Sequence, residues 1–287
     1  MSNPVLNERT LAKWAAPEAS QRAGINDGPI SDWAPPPAPG ETMTVRGSVS
    51  ATAVLLVLLL MSAAYGWYQT GSPVVNGQGV VQYGIPSLAM VGVFVGLGLA
   101  LLMSFKPHLA RFVAPVYALA QGVFVGSVSR AFEEFYDGIV IQAAGATLAV
   151  TAVMLGLYLT GVVRVTDRFR KIVISATLGV MVFYMISWIV SLFGGNVSFL
   201  ASSSLMSIGF SVIVAGLAAM NLALDFDFIE RGSQSGLPKH FEWFAAFGLL
   251  VTLVWQAGQM QQTIRSASNG LLHLACLSLS CGSISNC

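Results

Sequence analysis

Residues 205–224 read LMSIGFSVIVAGLAAMNLAL, and residues 225–231 follow at once as DFDFIER. Twenty residues without a charge are as many as a helix rising about 1.5 Å per residue needs to cross about 30 Å of hydrocarbon. The acidic and basic residues that follow mark a return to water. Lipid offers no hydrogen bonds to the backbone, so such a stretch is expected as an α-helix and not as an open strand.

Working outward, six further apolar stretches have similar length: about 49–67, 85–105, 112–129, 138–162, 172–193 and 241–259. The expected fold is therefore all-α, a polytopic seven-transmembrane-helix bundle. The connections are short and carry turn chemistry, as in Lys106-Pro107-His108, Gly194-Gly195-Asn196 and Gly232 through Pro238. Short links make consecutive helices antiparallel neighbours. The 287 residues are 55% hydrophobic and 9% charged, too few polar groups to coat a soluble globule.

Three regions follow from this pattern: a Pro-rich cytoplasmic tail over 1–45, expected to be disordered, a seven-helix domain over 46–260, and an atypical Ser/Leu/Cys-rich tail over 261–287. Pro35, Pro36, Pro37 and Pro39 favour extended, solvated chain. A long polar leader precedes the first apolar run, which is read as a permanent span and not as a signal peptide. Cys276, Cys281 and Cys287 all lie near the end and cannot staple the bundle.

Lys and Arg gather on the cytoplasmic side of membrane proteins. Arg9, Lys13, Arg22, Arg46, Lys106, Arg111, Arg164, Arg168, Arg170, Lys171, Arg231 and Lys239 would all share one side, against Arg130 and Arg265 on the other. This predicts an inner-membrane protein with its N-terminus inside and its C-terminus outside. Lipid tails supply no hydrophobic drive for helix association, so small residues must permit close approach. Gly92 and Gly96, Gly122 and Gly126 (both pairs in the phrase GVFVG), and Ala215, Gly216, Ala218 and Ala219 are the candidate seams.

Several chemistries have no visible parts. His108, His240 and His273 lie in connections or the tail, away from any serine at membrane depth, and no zinc spacing or nucleotide-binding GxxxxGK[ST] loop is present. No catalytic residues, no enzymatic activity and no resident cofactor are expected. Net charge is +1 and the basic residues form no stripe, which argues against nucleic acid as a partner. The expected partners are the lipid bilayer, cations and protons, and a membrane protein.

Charge at membrane depth is costly and persists where it works or pairs. Asp225, Asp227 and Glu230 follow the sixth apolar stretch, and Glu242 opens the seventh. At 100° per residue Asn221 and Asp225 share a face, while Asp227 lies about 200° away from Asp225. Asp225, with Asn221 one turn deeper, is assigned to the interior; Asp227 and Arg231 are assigned to the headgroup side. Asp227 and Glu230 are secondary acidic candidates, because acidic residues at a span boundary usually just mark the exit from lipid. An anion at a helix C-terminus opposes the dipole, which makes Asp225 the less ordinary placement. Glu242, at a helix N-terminus, has a structural role available to it. If Asp225 and Glu242 face each other, they cannot both ionise freely, so a proton can switch the pair. Their oxygens also suit Ca²⁺, with Asp225 as its ligand.

Three passages resemble the Bax inhibitor-1 family, the transmembrane BAX inhibitor motif proteins, in its bacterial branch. They are Pro115 to Ser129 (PVYALAQGVFVGSVS), Ala218 to Glu230 (AAMNLALDFDFIE) and Gly236 to Leu249 (GLPKHFEWFAAFGL). The resemblance spans about 45–255. It implies seven spans with the seventh at the centre, and a pH-sensitive Ca²⁺ leak gated by a carboxylate pair, one member mapping onto Asp225. Its partner in such proteins is an aspartate on the seventh helix, where this chain has none; Glu242 is the acidic residue at hand. Gln121 stands where the resemblance leads one to expect an acid. After Val254-Trp255 the chain runs QAGQMQQTIR, and Gln256, Gln259, Gln261 and Gln262 are expected to weaken packing at the outer end of the seventh helix. The sequence thus points to a proton-regulated, Ca²⁺-permeable leak of the cytoplasmic membrane. The alternatives are a non-transporting modulator of a protease or stress pathway, docking through the basic connection Arg164 to Lys171, and a substrate transporter with broken midplane helices.

Overall fold

The computed structural model describes residues 42–71, 74–75, 81–82, 87–193 and 205–280, and all that follows concerns these. The expectations for the Pro-rich tail and for Gly194-Gly195-Asn196 lie outside them. Seven α-helices are present among the described residues: α1 Val45–Gln69, α2 Ser87–Phe105, α3 Ala110–Glu133, α4 Ile139–Leu159, α5 Asp167–Leu192, α6 Leu205–Gln234 and α7 Phe241–Ser280. A single 3₁₀ turn at Pro107–Leu109 joins α2 to α3, and two short strands, β1 Val74–Val75 and β2 Val81–Gln82, pair antiparallel between α1 and α2.

Each apolar stretch became one helix, so the all-α expectation holds. Six of the helices are long and apolar enough to cross a membrane, while the apolar part of α2, Met90–Phe105, is shorter than the length needed. Val54, Val57, Leu60 and Met61 on α1, Ile141 and Leu148 on α4, and Met181 and Met185 on α5 are exposed. In water such surface would be a large apolar patch; on helices of this length it is the surface that lipid covers. The protein is a multi-pass membrane protein.

The helices overrun their apolar cores. α6 continues ten residues past Leu224 to Gln234, and α7 runs unbroken past the glutamines to Ser280. The glutamines do not interrupt α7 because Gln is a good helix former whose side chain leaves the backbone ladder intact.

The contacts divide the chain into two compact units. The first holds most of α1, α2, the first part of α3 and the segment Asp225–Leu250. Here the expected glycine seams are real. A Cβ on Gly122 or Gly126 would overlap the α1 backbone at Leu59 or Ala63, one on Gly66 of α1 would meet Val123, and one on Gly92 of α2 would stand 2.6 Å from the Ala120 carbonyl. Backbones approach as closely as glycine allows. The Ser62 hydroxyl lies in this seam within reach of the Leu58, Leu59 and Ala118 carbonyls, sharing its one proton among them. The rings of Tyr117 and Phe247 meet edge to face at 4.8 Å.

The second unit holds Ser127–Leu224 and the rest of α7. Ala215 and Ala218 are buried as expected, whereas Gly216 is exposed with open space around it, since it lies on the other face of α6. Arg130 pairs with Glu134 and lies over the Trp67 ring, and Arg265 lies over Phe132. Aromatic faces attract guanidinium groups, which gives these two arginines partners within the unit.

Candidate functional site

The site is built around the turn between α6 and α7, within the first unit. Helix α6 ends because Gly236 takes a left-handed conformation, φ +64°, and Leu237 N–H closes onto the Gly232 carbonyl at 3.1 Å. A residue with a Cβ resists that backbone, and glycine at this place is a common helix stop. Pro238 and Lys239 then turn the chain into α7, with Glu242 in its first turn.

A segment from the other end of the chain closes over this turn. Thr42 forms a β-bridge with Pro238, and Met43 N–H donates to the Leu237 carbonyl at 2.6 Å. Met43 is itself buried, packed where a Cβ on Gly232 would touch its Sδ. Thr44 then donates twice to Glu242 Oε1, from its backbone N–H at 3.0 Å and from its hydroxyl at 2.9 Å. The two residues are 198 positions apart in the chain. Glu242 is only 6% exposed, and its carboxylate lies so close over Gly47 that a Cβ there would overlap it unless Glu242 moved.

Asp225 occupies another level. Its Oδ2 is shielded from solvent, and Oδ1 lies 3.6 Å from where a Cβ on Gly248 would stand. Gly248 is six residues along α7 from Glu242, about 9 Å at helical rise. Asp225, assigned to the interior by the sequence pattern, is partly buried with Oδ1 beside Gly248 of α7, but the structure does not set its carboxylate against that of Glu242, which Thr44 engages. The sequence pattern could not reveal this clasp, because Thr44 falls at the end of a tail that reads as solvated chain.

Asp227 departs from its expectation. The sequence pattern places it on the headgroup side, yet it is 6% exposed, more enclosed than Asp225, and Arg231 donates to its Oδ1 at 2.9 Å from the next turn. The angular separation of the two aspartates is legible in the sequence, but which of two opposite faces meets the protein cannot be read from one helix alone. With its head half exposed, Arg231 compensates Asp227 while keeping contact with water. Glu230 is exposed and accepts from Gln234. Asn221 belongs to the second unit, where its amide donates to Thr177 Oγ1 and to the Leu217 carbonyl, both at 2.9 Å.

Buried carboxylates at the junction of two apolar helices, on a bundle with a lipid-facing surface, define a polytopic membrane protein with a charged site at a span boundary. The family model described as Bax inhibitor 1 like matches residues 3–256, and the chain belongs to that family. The match ends at Gln256, where the glutamine-rich stretch begins. No curated protein and no solved structure matches the chain.

Proposed function

We propose that the protein is a proton-regulated cation leak of a bacterial cytoplasmic membrane, permeable to Ca²⁺, with Asp225 as the residue that binds and gates. The observation carrying this reading is the placement of Asp225: a carboxylate turned toward α7 with one oxygen shielded from water, at the boundary of an apolar helix. A proton or a cation bound there removes its charge and changes what the end of α6 presents to α7. Among the described residues no three His, Cys, Asp or Glu side chains converge as a metal cage requires. A cation at Asp225 is then held by one carboxylate with carbonyls and water, a hold weak enough to release what it admits.

In this reading α2 completes a set of seven spans with α7 at their centre, the N-terminus is inside and the C-terminus outside. Glu242 acts differently from the gating partner that the sequence suggests: it fastens Thr44 over the α6–α7 turn and so holds the end of α7 in place.

Ca²⁺ flux through liposomes carrying the purified protein tests the proposal. It predicts flux above that of empty vesicles that changes with pH between about 5 and 8, because a proton competes with the cation for the Asp225 carboxylate. Flux equal to empty vesicles at every pH in that range defeats it. The non-transporting modulator draws support from the exposure of Arg164, Arg168 and Lys171 in and beside the α4–α5 connection. Cross-linking from that connection to a stable protein partner, in a preparation without flux, would favour it instead.

A further inference from the structure

The buried face of α7 changes character along its length. In its first turns it is lined by Phe241, Ala245 and Leu249; within the second unit the buried positions include Thr252, Gln256, Gln259 and Ser266. At 100° per residue these last four fall within an arc of about 80°, a polar stripe where a membrane helix normally presents apolar or small residues to its neighbours.

Two of the glutamines have protein partners. Gln259 Oε1 accepts from the Tyr184 hydroxyl, and Gln261, on the opposite face, donates to Ser129 Oγ at 3.2 Å. Gln256 is 0% exposed, and among the described residues neither its Nε2 nor its Oε1 has a hydrogen-bond partner. A primary amide carries two N–H donors and an acceptor oxygen. Buried polar atoms are satisfied by protein or by ordered water, and water is held where several polar groups converge.

We propose that the stripe around Gln256 holds a hydrated pocket whose ligand is water, held by the Gln256 amide with Thr252 one turn before it and Gln259 one turn after. The groups are neutral, so the pocket favours water over a divalent cation, which seeks carboxylates. It stands independently of cation passage and of Asp225.

Thiol chemistry reads this directly, because methanethiosulfonates react with the thiolate, which forms only where water reaches the sulfur. In full-length protein with Cys276, Cys281 and Cys287 changed to Ser, the variants Gln256→Cys, Thr252→Cys and Gln259→Cys are each treated with 2-aminoethyl methanethiosulfonate. Val214→Cys serves as reference, since Val214 is equally enclosed, 0% exposed, in the same unit but in apolar surroundings. The pocket predicts modification at least about tenfold faster than at Val214→Cys, the ratio expected when burial in apolar surroundings raises a thiol by one pKa unit or more. Rates within about twofold of Val214→Cys at all three positions overturn it, since the thiolate is then no more accessible than in a dry core. Should Gln256→Cys fail to fold, Thr252→Cys and Gln259→Cys still decide the matter from one turn either side of Gln256.

Discussion

Removing the Glu242 carboxylate should loosen the end of α7, and the size of the loss can be built from its contacts. Glu242→Ala deletes two charge-assisted hydrogen bonds from Thr44, at 3.0 and 2.9 Å. Such bonds contribute about 1.5–3 kcal/mol each when buried. Thr44 is exposed, so its freed groups regain water and the lower figure applies. Adding about 0.3–1 kcal/mol for an anion at a helix N-terminus gives a loss of about 3–4 kcal/mol. Thr44→Val removes both the hydroxyl's bond to Glu242 and the cap it offers the Gly47 N–H at 3.0 Å, and should cost about 2–3 kcal/mol. A Cβ at Gly47 would overlap the carboxylate, so Gly47→Ala should cost about 1–3 kcal/mol by pushing Glu242 off Thr44. The distinguishing feature is non-additivity: in a Glu242→Ala background the overlap is gone, and Gly47→Ala should be neutral or slightly stabilising. Unfolding in mixed micelles by SDS titration, followed by tryptophan fluorescence, gives the four free energies of the cycle. A Gly47→Ala cost that is the same in the unmodified chain and in the Glu242→Ala background would refute the clasp.

Other expectations follow from the same contacts. Gly126→Ile drives a branched side chain into the α1 backbone at Ala63 and should cost at least about 1–3 kcal/mol, whereas Gly145→Ala on α4, with nothing near it, should be neutral or stabilising by up to about 1 kcal/mol; thermal unfolding in detergent compares them. Arg231→Ala removes the charge that Asp227 pairs with in the next turn and should cost about 1–3 kcal/mol, most of it restored by adding Asp227→Asn, as read by the same SDS titration. Asn221→Leu removes the amide's bonds to Thr177 and Leu217 and should destabilise by about 1–2 kcal/mol, measured by unfolding, without altering the pH profile of flux.

The fold was legible where lipid imposes it. Seven apolar stretches became seven helices, because a backbone in hydrocarbon has no other way to satisfy its polar groups. Helix ends were less so: nothing in the apolar count foretells that α6 runs to Gln234, where Gly236 and not the edge of the lipid stops it. The glycine phrases at Gly92 and Gly122 predict close approach correctly, since that requirement is written in residue size. At the site, the pattern assigns Asp225 to the interior, where it is partly buried beside Gly248, but it misreads Asp227, whose burial depends on Arg231 supplying a charge from within the same helix. Nearness in sequence pairs Glu242 with Asp225, while its actual partner, Thr44, is brought to it by tertiary pairing of Thr42 and Met43 with Pro238 and Leu237. The glutamines of α7 read as a packing defect, and the structure encloses three of them in an intact helix.

The central claim is that Asp225 gates a cation path, and the most direct measurement is Ca²⁺ flux against pH in liposomes for the unmodified chain and for Asp225→Asn side by side. The account predicts a pH-dependent flux in the former and a pH-independent one in the latter, with Glu242→Gln keeping the pH dependence at reduced stability. An identical pH profile for the unmodified chain and Asp225→Asn would contradict it.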